Sequence, residues 1–347
     1  MSKKIAIIGD QFMLSEMFAE AIVEACGGQH ELRSMSNGWP DENMEHGYAK
    51  AGMDGLKEYL GDPDQICEFI GDAEILVTHL APMSSAMMSR LPSLKMIAVS
   101  RGGPVNIDMQ AAREHDITVV NAPGRNASAV AEFTIGAILA ESRRMRLGHE
   151  TLRQGQWRGD LYRADRTGRE MHEMTIGVVG YGQIGTLLVP LLQAFGSKVL
   201  VHDPYVDLHD DHRSAGAEQV SFDQLLTESD VVTLHAGVSD ETTHMINTKT
   251  LAKMKADAIL VNTARGPLVN YPDLYNALKT EQIAGAMLET FDVEPVPEET
   301  PLLALPNVTL TPHIAGASVY TVRKACAMAA EEIRRYLNDE PPLNRCL

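Results

Sequence analysis

TIGVVGYGQIGTLLVPLLQAFGSKVLVHD, residues 175 to 203, is the stretch on which the reading of the whole chain turns. An apolar run, Ile176 to Val179, leads into Gly180-Tyr181-Gly182-Gln183-Ile184-Gly185. An apolar helical pattern comes next, then a second apolar run, Val199 to Val201, and Asp203. Strand, glycine turn, helix, strand and acid in this order form a dinucleotide-binding βαβ unit. Gly180 allows the tight turn, Gly182 lets the backbone approach a pyrophosphate, and Gly185 brings helix and strand close. Gln183 and Ile184 open the helix, whose first N–H groups face the phosphates. A carboxylate at Asp203 suits hydrogen bonds to a ribose 2′-hydroxyl and repels a 2′-phosphate, which favours NAD over NADP.

Working outward, short apolar runs recur on both sides of this unit. Before it lie KIAIIG (4–9), ILVTH (75–79), MIAVS (96–100) and TVVNAP (118–123). After it come VVTLH (231–235), AILVN (258–262), IAGAML (283–288) and VTLT (308–311). Helical stretches separate them, and strands alternating with helices indicate parallel sheets. Residues 36–63, around SNGWPDEN, have poor periodicity and predict a variable loop plus a helix. Residues 129–155 predict one long helix, apolar in its first half, serving as a connector between domains or a subunit contact. From Val319 another amphipathic helix runs toward a loose tail, NDEPPLNRCL.

A chain of 347 residues exceeds what one hydrophobic core usually holds, so two domains are expected. The formal net charge of -17 argues against non-specific nucleic-acid binding, which needs a basic surface. An anionic ligand would therefore need a local cationic pocket. Cys26, Cys67, Cys326 and Cys346 are scattered without metal-ligand spacing, so reduced thiols and no metal site are expected. The start, MSKKIAIIGD, has too short an apolar region for a signal peptide, and no stretch approaches a membrane span of about twenty apolar residues. A cytoplasmic protein is the expectation. His30, His115, His149, His209 and His212 read as surface residues, and Asp210-Asp211 as a solvated acidic turn.

In an open parallel sheet, ligands bind beyond the carboxyl ends of the strands. Beyond the strand ends of the second half lie Gly180 to Gly185, Asp203, His235, Thr263-Ala264-Arg265-Gly266, Glu289 and Pro312-His313. A cation, a carboxylate and an imidazole at one sheet edge suit hydride transfer at a carbon that bears a hydroxyl beside a carboxylate. The arginine fork can hold the substrate carboxylate and polarise a carbonyl oxygen. The histidine can take or return the hydroxyl proton, and a neighbouring carboxylate fixes its tautomer. The hydride chemistry itself belongs to the nicotinamide. In the first half, His79 ends a strand and is a candidate contact for substrate or cofactor.

At these residues the chain resembles the D-isomer-specific 2-hydroxyacid dehydrogenases. The resemblance spans nearly the whole chain and rests on NAPGRNASAVAEFTIGAIL (121–139), GYGQIG (180–185), VHDPY (201–205), LHAGVSDETTHMIN (234–247), VNTARGPLVN (261–270), GAMLETFDVEP (285–295) and LTPHIAGAS (310–318). It implies catalytic roles for Arg265, Glu294 and His313. It also implies that Gly102 and Gly103, in SRGGPVNID with Arg101, bind the substrate carboxylate through backbone amides. The cofactor set is Gly180, Gly182, Gln183, Ile184, Gly185, Asp203, His235, Ala236, Thr263, Ala264, Glu289 and His313. Two departures bear on that set. Glu289 stands where the family usually has Asp, one methylene longer toward the nicotinamide amide, and Ala236-Gly237 stand where proline is common.

The expected fold is α/β, with two doubly wound parallel-sheet domains. A Rossmann NAD-binding domain (125–318) is inserted into a flavodoxin-like substrate-binding domain (1–124 and 319–347). The expected activity is NAD-dependent hydride transfer to or from C2 of a D-2-hydroxy or 2-keto acid, by a homodimer. No regulatory module is expected beyond residue 347. An NAD(H)-sensing corepressor on the same fold is the alternative.

Overall fold

The structure, a computed structural model, describes residues 2–39, 53 and 55–346. Two compact units divide the chain, Met1–Asn126 with Ser318–Leu347, and Ala127–Ala317.

In the first unit the described strands form one five-stranded parallel sheet: β1 (Lys4–Gly9), β2 (Glu31–Ser36), β3 (Ile75–Thr78), β4 (Met96–Val99) and β5 (Thr118–Val120). Their order, β2-β1-β3-β4-β5, is the flavodoxin-like order. Ile5, Ile7, Ile75 and Val77 are buried against the helices Ser15–Cys26 and Val319–Leu337, while Ala6, Ile8 and Leu76 are buried on the other face. Burial of both faces is why these strands read as continuous apolar runs rather than alternating ones.

The second unit holds β6 (Thr175–Val179), β7 (Lys198–His202), β8 (Glu218–Gln219), β9 (Val231–Leu234), β10 (Ile259–Asn262), β11 (Gly285–Leu288) and β12 (Val308–Leu310). The sheet order is β12-β11-β10-β9-β6-β7-β8, and every pairing in it is parallel. Counted from β6, the order reverses between β6 and β9, which is the switch point of the Rossmann fold. The chain ends of β6, β7 and β9 therefore converge where a dinucleotide binds.

Several expectations need correction. β2, ELRSMS, gives no apolar run because it is an edge strand with all six residues exposed or half-buried; pairing with β1 from Lys4↔Glu31 to Gly9↔Ser36 defines it instead. The loop and helix expected at 36–63 lie outside the described residues at 40–52 and 54; the described remainder is irregular, and a helix begins only at Pro63. The long helix expected at 129–155 is two helices, Ala127–Ser142 and Met145–Arg153, because Arg144 adopts the left-handed region (φ 54°) and breaks the ladder. The apolar half of the first helix is buried in its own unit, with Ala131, Ile135 and Ile138 packed beside Leu188 and Val189. It does not need a second subunit to cover it.

The tail is not loose either. Glu332, 1% exposed, accepts hydrogen bonds from the Leu343 and Asn344 N–H groups, and Cys346 N–H donates to Val119 O at 2.9 Å. Among the described residues no helix is long and apolar enough to cross a membrane.

Candidate active site

The glycine turn is built as its sequence requires. Gly180 has φ 96°, and a Cβ there would lie 2.6 Å from Ala236 N and 2.7 Å from His235 C, so only glycine lets the turn pass under the end of β9. A Cβ on Gly185 would meet Gly180 O at 2.3 Å, which is the close helix–strand approach. Around Gly182, by contrast, the Cβ position has nothing within 4 Å, and this residue caps the helix Gln183–Ala194. That open space over unpaired helix N–H groups fits a pyrophosphate. Asp203, at the end of β7, is tied to the turn by Tyr181 N–H at 2.7 Å, and its other oxygen accepts from Tyr205 and Val206 N–H.

His235 is 9% exposed; its Nε2 pairs with the Thr233 hydroxyl at 2.9 Å, and its buried Nδ1 has no hydrogen-bond partner among the described residues. Burial drives its pKa down to about 3, so the ring is neutral and holds an unused polar atom beside the glycine turn. The Thr263 hydroxyl bonds Thr134 at 2.9 Å, and Ala264 N–H bonds the Asn262 side chain, so both residues hold the turn after β10 in place. Gln183 is exposed, while Ile184 and Ala236 are half-buried. These residues, the orphaned His235 nitrogen and the open Gly182 position together fit an NAD site.

The acid/base elements come from three strand ends of the same sheet. After β12, His313 takes a left-handed backbone (φ 53°), and its Nδ1 lies 2.8 Å from Glu294 Oε2. The His313 side chain is 30% exposed and that of Glu294 10%. The other Glu294 oxygen accepts the Phe291 N–H at 2.8 Å, which fixes the carboxylate. Glu289 holds the His313 loop from beneath: its carbonyl accepts His313 N–H at 3.0 Å, and its carboxylate accepts the Ile314 and Ala315 N–H groups and the Thr311 hydroxyl. Burial raises the Glu289 carboxyl above its ordinary range, against the pull of those amides.

Arg265 is exposed after β10, with Nη1 donating to Ala264 O at 2.7 Å. A Cβ on Gly266 would sit 1.9 Å from the Phe291 backbone, so the glycine of NTARG lets the arginine turn press against the loop that carries Glu294.

In the first unit, His79 is buried with Nδ1 2.7 Å from Asp10 Oδ2, and Arg125 Nη2 lies 3.4 Å from its Nε2. Burial lowers the His79 pKa despite the Asp10 carboxylate. Burial alone would raise Asp10, but the His79 hydrogen bond and the Met13 and Phe12 amides outweigh it and hold the carboxyl low. Arg125 stands over the Phe12 ring, and burial lowers its pKa to about 10. Sequence reasoning missed Asp10 and Arg125; the only signal was their polarity beside apolar strands. Arg101 is paired with Glu58 and donates to Glu58 O at 3.1 Å. Gly102 and Gly103 have open Cβ positions, and neither N–H has a hydrogen-bond partner among the described residues.

Comparison with known proteins shows the family. The model of the family described as D-isomer specific 2-hydroxyacid dehydrogenase, NAD binding domain, matches residues 135–315. The glyoxylate reductase of Korarchaeum cryptofilum (strain OPF8) is 36% identical over 280 residues, 80% of this chain and 84% of that one. A hydroxypyruvate reductase of Thermotoga maritima is 33% identical over 291 residues, 83% of this chain and 92% of that one. The solved structure of D-2-hydroxyisocaproate dehydrogenase covers 99% of both chains with a TM-score of 0.82 at 24% identity, a likeness of fold. The chain belongs to the D-isomer specific 2-hydroxyacid dehydrogenase family. It is an NAD-dependent oxidoreductase of that family.

Proposed function

We propose that the protein interconverts a small 2-keto acid and its D-2-hydroxy acid, with His313 as acid/base, Glu294 as its partner and Arg265 on the substrate. The observation that carries this is the 2.8 Å contact between His313 Nδ1 and Glu294 Oε2, after adjacent strands of the sheet that carries the glycine turn. With Nδ1 on the carboxylate, Nε2 is the nitrogen that handles the substrate proton. Bound nicotinamide supplies or accepts the hydride at C2. In reduction, His313 gives its proton to the C2 oxygen while Arg265 polarises that oxygen and steadies the carboxylate. In oxidation the same nitrogen takes the hydroxyl proton. Glu289 acts through the loop, as a positioning residue. In the first unit, the N–H groups of Gly102 and Gly103 have no hydrogen-bond partners among the described residues and can donate to a carboxylate.

Glyoxylate and hydroxypyruvate rank first as substrates, since relatives covering most of the chain carry those names. Arg101 is already paired with Glu58 and brings no surplus charge to a phosphate, so phosphorylated acids rank lower. Four unpaired cysteines favour a reducing, cytoplasmic setting. The test is NADH oxidation with a panel of 2-keto acids that includes phosphorylated ones. Turnover of glyoxylate or hydroxypyruvate is expected. NADH binding without turnover on any member would favour an NAD(H)-sensing role instead.

A further inference from the structure

Among the described residues, one set of side chains has the composition of a metal site. One ligand atom from each of His209, Asp211 and His212 lies within 4.8 Å of the other two. They come from HDDH, residues 209–212, where the chain enters the short helix Asp210–Ser214 beyond β7. A solvated acidic turn accounts for Asp210 and Asp211, which are exposed, but not for His212, which is 8% exposed. The structure thus corrects the reading of His212 as a surface residue.

One ring nitrogen of His212 is held by a hydrogen bond, as in metal-bound histidines, where the second nitrogen takes the ion. Its Nδ1 pairs with the hydroxyl of the buried Tyr181, which also accepts His209 N–H at 3.4 Å. An Nδ1–H donated to the phenol oxygen leaves the lone pair on Nε2. The backbone is fixed as well, since His212 O accepts from Gln193 Nε2 at 2.8 Å and His212 N–H donates to Asp211 Oδ1 at 2.9 Å. Two imidazoles and one carboxylate suit a zinc-type ion with a fourth position left for water. Zinc bonds of about 2.0–2.1 Å need ligand atoms about 3.3 Å apart, so the exposed His209 and Asp211 side chains would have to draw in to close on an ion.

We propose that His209, Asp211 and His212 bind one divalent transition ion, and that this ion, acting through Tyr181, tightens the dinucleotide site. Tyr181 lies between Gly180 and Gly182, and its N–H holds the Asp203 carboxylate at 2.7 Å. Gln219 closes the same loop, accepting Leu208 N–H at 2.9 Å and donating to Asp203 O and Val206 O at 3.1 Å. An ion on His212 restrains the ring, the phenol, the glycine turn and Asp203 in sequence, so less ordering remains when the dinucleotide binds. The coupling, unlike the ion site, rests on the dinucleotide occupying the Gly180–Gly185 turn.

The test uses the chelator-treated full chain, titrated calorimetrically with zinc chloride. One ion per chain is expected, with binding at least about tenfold weaker in His209→Ala and Asp211→Asn, and also in Tyr181→Phe, which keeps all three ligands and removes the hydroxyl that holds His212 and the His209 N–H. No binding by wild type, or equal binding in His209→Ala and Asp211→Asn, as ligation by the cysteines would give, overturns the site. In the second arm NADH is titrated by fluorescence with and without one equivalent of zinc. The dissociation constant is expected to fall about fivefold or more in wild type and not to respond to zinc in His209→Ala. A zinc-independent value in wild type overturns the coupling. Failure of NADH to bind at all counts against the dinucleotide reading instead.

Discussion

His313 is positioned by backbone and side chain together: its N–H rests on Glu289 O and its Nδ1 on Glu294. A carboxylate on Nδ1 fixes the ring's tautomer and leaves Nε2 toward the substrate. In Glu294→Gln the charge is gone and the amide can present either an acceptor or a donor to Nδ1, so the tautomer is no longer fixed. Expected is a fall of at least about tenfold in kcat/KM for keto-acid reduction with NADH affinity unchanged; steady-state kinetics of both proteins would show it, and equal kcat/KM would remove Glu294 from the mechanism. Arg265 and His313 were legible because polar residues that end consecutive parallel strands must share one edge. The Asp10–His79–Arg125 cluster and the Arg101–Glu58 pair were not, because each joins residues far apart in sequence that carry no local pattern. His212 was misread for the same reason, since its partner Tyr181 lies on another strand's turn.

Among the elements, the turn after β10 depends on the absence of one side chain. In Gly266→Ala the added methyl would overlap the Phe291 backbone, and backbone cannot yield as a flexible side chain does. The Arg265 turn and the Glu294 loop must separate, at about 1–3 kcal/mol. A lower Tm together with a kcat loss larger than any loss of NADH affinity is expected, and wild-type kcat would show that this contact does not place Arg265.

At the opposite edge of the sheet, Asp230 ties strand starts together: it accepts Thr175 N–H at 2.7 Å, Lys255 Nζ at 2.9 Å and Arg169 Nη1 at 2.9 Å. Burial opposes its ionisation, but the Thr175 amide and the Lys255 and Arg169 bonds prevail and hold its carboxyl below the usual range. Because the folded value lies below the unfolded one, this stabilisation is present above about pH 4 and is lost as pH falls through the folded value. Asp230→Asn should therefore lower Tm at pH 7 while narrowing its gap to wild type below pH 4. An equal Tm difference at pH 7 and pH 3 would contradict this. The strands read most easily were the buried ones, whereas β2 and β8, at sheet edges, offer no apolar run to find.

For the whole molecule, both sheets follow from the alternation of apolar strands and amphipathic helices, and the seven-stranded one from the glycine unit at 175–203. The break at Arg144 was not legible, because a single left-handed residue leaves the apolar period on either side intact. It also moves the case for a dimer. Exposed apolar side chains lie after the break, with Met145 53%, Leu152 57%, Trp157 85% and Tyr162 94% exposed, and large exposed apolar surface marks an interaction site. A two-fold dimer through 145–162 is expected. Light scattering at micromolar concentration should give twice the chain mass, and Trp157→Glu should shift it toward the monomer. A monomeric wild type would refute the dimer.

The central claim, that His313 moves the substrate proton on a site that binds NADH independently, is tested most directly by His313→Ala. Single-turnover reduction of the best keto acid is measured alongside NADH affinity in the same preparation. A rate loss of roughly 10²–10⁴-fold with NADH affinity unchanged is expected. Near-normal turnover in His313→Ala would contradict it.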